Sequence, residues 1–201
     1  IILLLGLSSL MGMPYAVLMP VFAKEILHGG SHTFGFLMGA SGTGALTGAI
    51  YLASRRTVQG LEKIIPLAAG LFGIGIVAFS FSRLFLLSLI LMVATGLGMM
   101  LQMASSNTLI QTIVDEDKRG RVMSIYAMAF MGTVPFGSFL AGSLASLVGA
   151  PNTLRIGGVL CILGALMFAN RLADLRKMIH PVYVRLGIIP QGTEGIQPAT
   201  E

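Results

Sequence analysis

The chain has 201 residues, 55% of them hydrophobic and only 10% charged, with a mean hydropathy of +0.87. That composition excludes an ordinary soluble domain and points to a bilayer. The net charge of +5 would suggest nucleic acid in a soluble protein, but no basic stripe is interleaved with aromatics, so no nucleic-acid partner is expected.

A membrane-spanning helix needs about 20 mostly apolar residues. Six stretches qualify, over about 1–22, 34–54, 64–82, 84–112, 122–148 and 153–171. The runs are continuous and too long for the alternating strands of a β-barrel. The first begins IILLLGLSSL, already apolar and with neither a basic leader nor a cleavage site. It therefore reads as a piece cut from a longer polypeptide, not as a signal peptide. Within it Ser8, Ser9, Gly12 and Pro14 should bend or interrupt the helix near the membrane centre.

His28 and His32, beside Gly29 and Gly30, lie four apart in a loop and make no more than two metal ligands, so no metal site is expected. Span two carries Gly35 with Gly39 and Gly44 with Gly48, each pair at the GxxxG spacing that lets helix backbones approach closely. Span four carries two polar groups, Gln102 with Ser105 and Ser106 near mid-span, and Asn107 with Gln111 one turn apart closer to the cytoplasm. Uncharged polar groups in lipid either bond to neighbouring helices or face a wet cavity.

The most charged stretch, DEDKRGR at 115–121, separates spans four and five. It reads as a solvated loop whose acids, Asp115, Glu116 and Asp117, cap a helix starting near Arg121. In span five, Gly132, Pro135 and Gly137 are placed for close packing and bending. The lone Cys161 in span six rules out an intrachain disulfide and reads as a small buried hydrophobe. Beyond span six, residues 172–179 predict a short amphipathic helix on the cytoplasmic surface, stopped by Pro181 and followed by a flexible tail. The division is a bundle over 1–171 and a cytoplasmic tail over 172–201.

Ten of the thirteen Lys and Arg fall after span two, after span four or after span six; Lys24, Arg83 and Arg155 alone lie on the other side. The positive-inside rule then puts the even loops and both termini in the cytoplasm. A shift of 93 residues places Met38 and Gly39 on Met131 and Gly132, Gly44 on Gly137, and Gly48 and Ala49 on Ala141 and Gly142. Three spans separate the copies, so equivalent helices run in opposite directions, the pattern of an inverted repeat of three plus three helices.

No GxSxG, HExxH, Walker or CxxC motif is present, and no ionisable residue lies in the middle of a span. An enzyme is not expected, nor a cofactor. No proton relay, ion-pair gate or voltage sensor is visible, and any coupling carboxylate is expected in sequence outside this chain.

The stretch 115–149, DEDKRGRVMSIYAMAFMGTVPFGSFLAGSLASLVG, with its RGRVMS string and downstream PxG, resembles the loop and following helix in the second half of major facilitator superfamily transporters. The similarity extends over about residues 1–175 and is to the bacterial branch of transmembrane secretion effectors related to the enterobactin exporter. It implies an all-α membrane protein, one six-helix half of a twelve-helix fold that works by alternating access. The partners would be a small-molecule substrate, the lipid bilayer and an N-terminal six-helix half of the same protein. The location would be the bacterial inner membrane, and the direction efflux.

The resemblance also implies that spans one and four line the cavity, making Ser9, Gln102, Ser105 and Ser106 candidate substrate contacts. Gly44, Gly48, Gly132, Pro135 and Gly137 would be the packing and bending positions. Arg55, Arg56, Asp115, Asp117, Arg119, Gly120 and Arg121 would form the cytoplasmic gate. The family's acid after the second helix is missing here, since position 52 is Leu. A pairing of Arg55 or Arg56 with Asp115 or Asp117 is the expected replacement. A membrane-embedded assembly or sensor subunit without transport activity is the alternative reading.

Overall fold

A computed structural model describes residues 1–188, all helices and short connections. Six helices are long and apolar enough to cross a membrane: α1 (Ile2–Ile26), α2 (Ser31–Ser54), α3 (Leu61–Phe81), α4 (Phe85–Ile113), α5 (Glu116–Val148) and α6 (Ala150–Asn170). A seventh, α7 (Leu172–Arg185), follows. The flexible tail expected at the C-terminus falls largely outside the described residues.

Glycines decide which helices touch. A Cβ on Gly44 of α2 would overlap the Val93 carbonyl of α4, and one on Gly96 of α4 would overlap the Ser41 carbonyl of α2. On the other side of α4, Gly98 faces the backbone of Ala68 and Phe72 in α3, and Gly75 of α3 faces Thr95. The same arrangement recurs around α1. Gly137 of α5 faces the Leu10 carbonyl, and Gly157 of α6 faces the Met11 carbonyl. The two outer helices meet reciprocally: a Cβ on Gly73 would lie 2.8 Å from the Gly158 oxygen, and one on Gly158 would lie 2.8 Å from the Gly73 oxygen. The second and third helices of each triplet thus pack on the first helix of the other, as the inverted repeat requires. Gly44 and Gly137, aligned in the sequence, do the equivalent work.

Between the backbones the core is aromatic and aliphatic. Phe22, Phe72 and Phe79 are fully buried, Phe22 lies 4.4 Å from Phe79 between ring centroids, and Tyr15 meets Phe72 edge-on at 6.2 Å. Offset and edge-on pairs of this kind favour one relative placement of α1 and α3.

Two helices are broken where the sequence suggested bending. In α1 a π-helical turn spans Ser8–Gly12, just before Pro14. In α5 a π-helical turn spans Met128–Gly132, just before Pro135. A proline cannot donate to the preceding turn and its ring crowds the carbonyl four residues back, so the backbone widens there. Gly149, with φ of +84°, is the single residue between α5 and α6. Only glycine adopts that conformation without strain.

Three expectations need correction. Helix α5 starts at Glu116, not near Arg121, so most of DEDKRGR is helical. Asp115 stands at the N-cap with Glu116 and Asp117 in the first turn, an acidic start that suits the helix dipole, but its side chain makes no cap bond. The helix after α6 runs through Pro181 to Arg185. Proline's fixed φ is helical, and the one hydrogen bond it forfeits frees the carbonyl of Lys177, an exposed residue that water can satisfy. Burial of Ile179 and Tyr183 against Leu4, Ile65 and Leu109 holds the rest of the helix in place. Finally, a Cβ on Gly35 or Gly39 meets nothing within 4 Å, so the first GxxxG pair of α2 packs on no described residue.

Candidate functional site

The four residues singled out for the cavity are all buried inside the bundle, and Ser9 and Gln102 meet at one void there. Ser9 is 1% exposed, Gln102 2%, and Ser105 and Ser106 are fully buried. Gln102 Nε2 donates to Ser8 Oγ at 2.8 Å, and Ser9 Oγ donates to the Phe130 carbonyl, which lies in the π-helical turn of α5. One polar knot therefore ties α1 to α4 and α5 at the level of both helix breaks. The void beside it, about 10 Å³, is bounded by Ser8, Ser9, Gln102 and Phe130 among others. That is room for about one water molecule, not a substrate. The hydroxyls of Ser105 and Ser106 have no hydrogen-bond partner among the described residues.

The polar side chains that do reach the surface of the spans are others. Thr43 and Thr47 of α2 are exposed, each bonded back to the carbonyl four residues before it. Gln111 of α4 is exposed and donates to Asn107 Oδ1 at 2.6 Å. The last pair is visible in the sequence as two polar residues one turn apart, outside the cavity candidates. Their signal was available in the helical spacing, since Asn107 and Gln111 lie off the face that holds Gln102, Ser105 and Ser106. The helices themselves differ in cover: 22% of the α2 window and 11% of the α5 window are buried, against 56% for α3. Gly39, Gly42, Gly132 and Gly142 all lie on the uncovered surfaces of α2 and α5, where a Cβ would meet nothing within 4 Å.

At the end of the bundle that carries the α2–α3 and α4–α5 connections, the expected pairing of Arg55 or Arg56 with Asp115 or Asp117 is not made. Arg55 instead donates to the Gln59 carbonyl at 2.7 Å and to the Tyr51 hydroxyl at 3.2 Å. Asp115 is taken by Arg185 of α7 at 2.7 Å. Arg119 lies 3.9 Å from Glu116 within its own helix, and Gly120 and Arg121 are exposed.

Helix α7 also reaches the connection between α2 and α3. Arg176 stands 3.4 Å from Glu62, the Tyr183 hydroxyl donates to the Val58 carbonyl at 3.4 Å, and Gln59 Nε2 donates to the Ile188 carbonyl at 2.7 Å. The helix is a strap across the α2–α3 and α4–α5 connections. Burial and the neighbouring Glu62 carboxylate push the Tyr183 hydroxyl up to about 12, so it remains a donor across the physiological range. Sequence reading missed the strap because its anchors are 70 or more residues apart in the chain.

The Arg185 hydrogen bond, and then its charge, hold the Asp115 carboxyl below its ordinary range. A carboxylate whose folded-state pKa is lowered stabilises the fold above its unfolded value and loses that contribution as pH falls through the folded one. The strap's attachment at Asp115 should therefore be intact at neutral pH and weaken only at pH below the usual carboxylate range. Amide exchange of residues 182–186, taken relative to the unfolded-chain rate at the same pH, should rise there and at high salt, because the pair is exposed and screened. The same exchange should rise in Asp115→Arg and in Arg185→Asp at neutral pH and recover in the double exchange. Rates that ignore salt and both charges would leave the buried Ile179 and Tyr183 as the whole attachment.

Six spanning helices, paired around a pseudo-twofold relation with two of them largely uncovered, define a multi-pass helical membrane protein. The family model of the transmembrane secretion effectors matches residues 3–180, and the chain belongs to that family of the major facilitator superfamily. It is similar to the uncharacterized MFS-type transporter YfmI of Bacillus subtilis (strain 168), with 26% identity over 159 residues. The match covers 78% of this chain and 39% of that relative's length.

Proposed function

We propose that the chain is the C-terminal six-helix half of a secondary transporter that moves small molecules out of the cell by alternating access. The observation that carries the reading is the uncovered surface of α2 and α5, which flank α1 and α4 and present glycine, threonine and serine within the spans. Small residues on an otherwise unpartnered helix face suit close approach of further helices. An N-terminal half of like architecture, packed there, would leave a passage between the halves with the uncovered polar groups on its wall. The family membership supports the same reading.

In this proposal the bundle comprises residues 1–171 and the cytoplasmic tail 172–201, with the even connections on the cytoplasmic side of a bacterial inner membrane. Gly132 and Pro135 provide the bend in α5, and Gly44, Gly48 and Gly137 the fixed contacts. Arg55, Arg56, Asp117, Arg119, Gly120 and Arg121 face the cytoplasm, where they meet the other half. Ser9 and Gln102 take part by joining α1 to its neighbours, Ser105 and Ser106 stand buried beside them on α4 without partners among the described residues, and all four reach water only if α1 moves at the π-helical turn Ser8–Gly12.

The test is labelling of Thr43→Cys, near the middle of α2, in the full-length protein freed of other cysteines. An impermeant maleimide should react with it when supplied from either side of the membrane. Alternating access requires both. A static assembly or sensor subunit would be labelled from one side at most, and that result would overturn the proposal.

A further inference from the structure

Away from the uncovered surface of α2 and α5, helices α1 and α6 leave a groove of about 320 Å³. Leu3, Leu4 and Leu7 bound it on α1, and Met167 and Phe168 on α6. Gly164 lets the helices come together there, since a Cβ on it would run into the Leu7 side chain. Leu3 is 89% exposed and Met167 71%, so the groove opens outward and not into the bundle. At its end stands Arg171, the first residue beyond α6.

Arg171 is exposed and, among the described residues, takes part in no ion pair, whereas Arg119, Arg176 and Arg185 each face a carboxylate. The carboxylate nearest in sequence, Asp174, is one turn further along and is not within pairing distance. An apolar groove ending in one cation at the membrane boundary is complementary to an amphiphile with one anionic head and an alkyl chain. Arginine suits this, because its guanidinium binds phosphate through two parallel hydrogen bonds while its stem stays in apolar surroundings. Anionic lipids attract basic residues just beyond a span.

We infer that the groove between α1 and α6 is a binding site for an anionic phospholipid, its acyl chain along Leu3, Leu7 and Met167 and its phosphate on Arg171. Lys177, also exposed on α7, does not line the groove and adds only to the general positive field.

The experiment is native mass spectrometry of the full-length protein released from micelles with equimolar phosphatidylglycerol and phosphatidylcholine. Phosphatidylglycerol should be retained in about fivefold excess, the preference one basic residue at a membrane surface confers. Arg171→Glu should bring the ratio close to one, Arg171→Lys should keep most of it, and Lys177→Glu should leave it nearly unchanged. Excess inorganic phosphate should not displace the lipid. The inference is overturned by equal retention of the two lipids in the unaltered protein. It is equally overturned if Lys177→Glu removes the preference as fully as Arg171→Glu, if phosphate alone displaces the lipid, or if a polypeptide adduct occupies the site.

Discussion

Gly96→Ala should destabilise the protein by about 1–3 kcal/mol or more, although it adds a single methyl group to a helix interior. Alanine is the better helix former by about 1 kcal/mol, so local propensity predicts the opposite sign. The contact decides: the new Cβ would overlap the Ser41 carbonyl, and backbone atoms cannot step aside as a flexible side chain can. Gly70→Ala on α3 makes the same chemical change where the Cβ meets only the Ala165 methyl at 4.0 Å. It should be neutral or slightly stabilising. Thermal unfolding of the full-length protein in detergent compares the two directly, and equal midpoints would mean that α2 and α4 are further apart than described.

Gln102→Glu should cost roughly 2.5–3.5 kcal/mol at neutral pH, the range for a charged side chain placed at mid-span. The residue is 2% exposed, and its one donor bond to Ser8 cannot compensate a carboxylate. Gln102→Leu should cost about 0.6 kcal/mol, the average for an interhelical hydrogen bond in a membrane. Unfolding in a denaturant series separates these values. The pair also bears on mechanism, because a Gln102 standing in a wet passage would tolerate the carboxylate and lose little with either change.

The number and extent of the spans were legible from hydropathy because burying charge in hydrocarbon is costly enough to leave charged residues only at span ends. Span five, expected from about 122, begins at Glu116, since an acidic first turn continues the helix into water that hydropathy treats as loop. The alignment of Gly44 with Gly137 was legible as a pattern, and its meaning became visible once each was found against the first helix of the other triplet. Gly39 and Gly132 align equally well yet touch nothing described, because a GxxxG spacing states that a close approach is possible without naming the partner.

The candidate site was less legible. Gln102, Ser105 and Ser106 do share a helical face, as the spacing of three and four residues dictates. Whether that face looks into the bundle or into a passage depends on where α1 and α3 lie, and nothing local to α4 encodes it. The charges of the α2–α3 and α4–α5 connections illustrate the same limit, since Arg55 and Asp115 were plausible partners until α7 folded back to place Arg185 beside Asp115.

What the amino-acid sequence determined by itself was membrane residence, six spans, their orientation relative to one another and the family, because each follows from one-dimensional patterns of hydropathy, charge and motif. Only the tertiary structure decided which polar residues are sealed, which helix faces stand uncovered and which cations are paired. Those properties belong to contacts between segments dozens of residues apart, and they are set by the close approach of backbones at a few glycines.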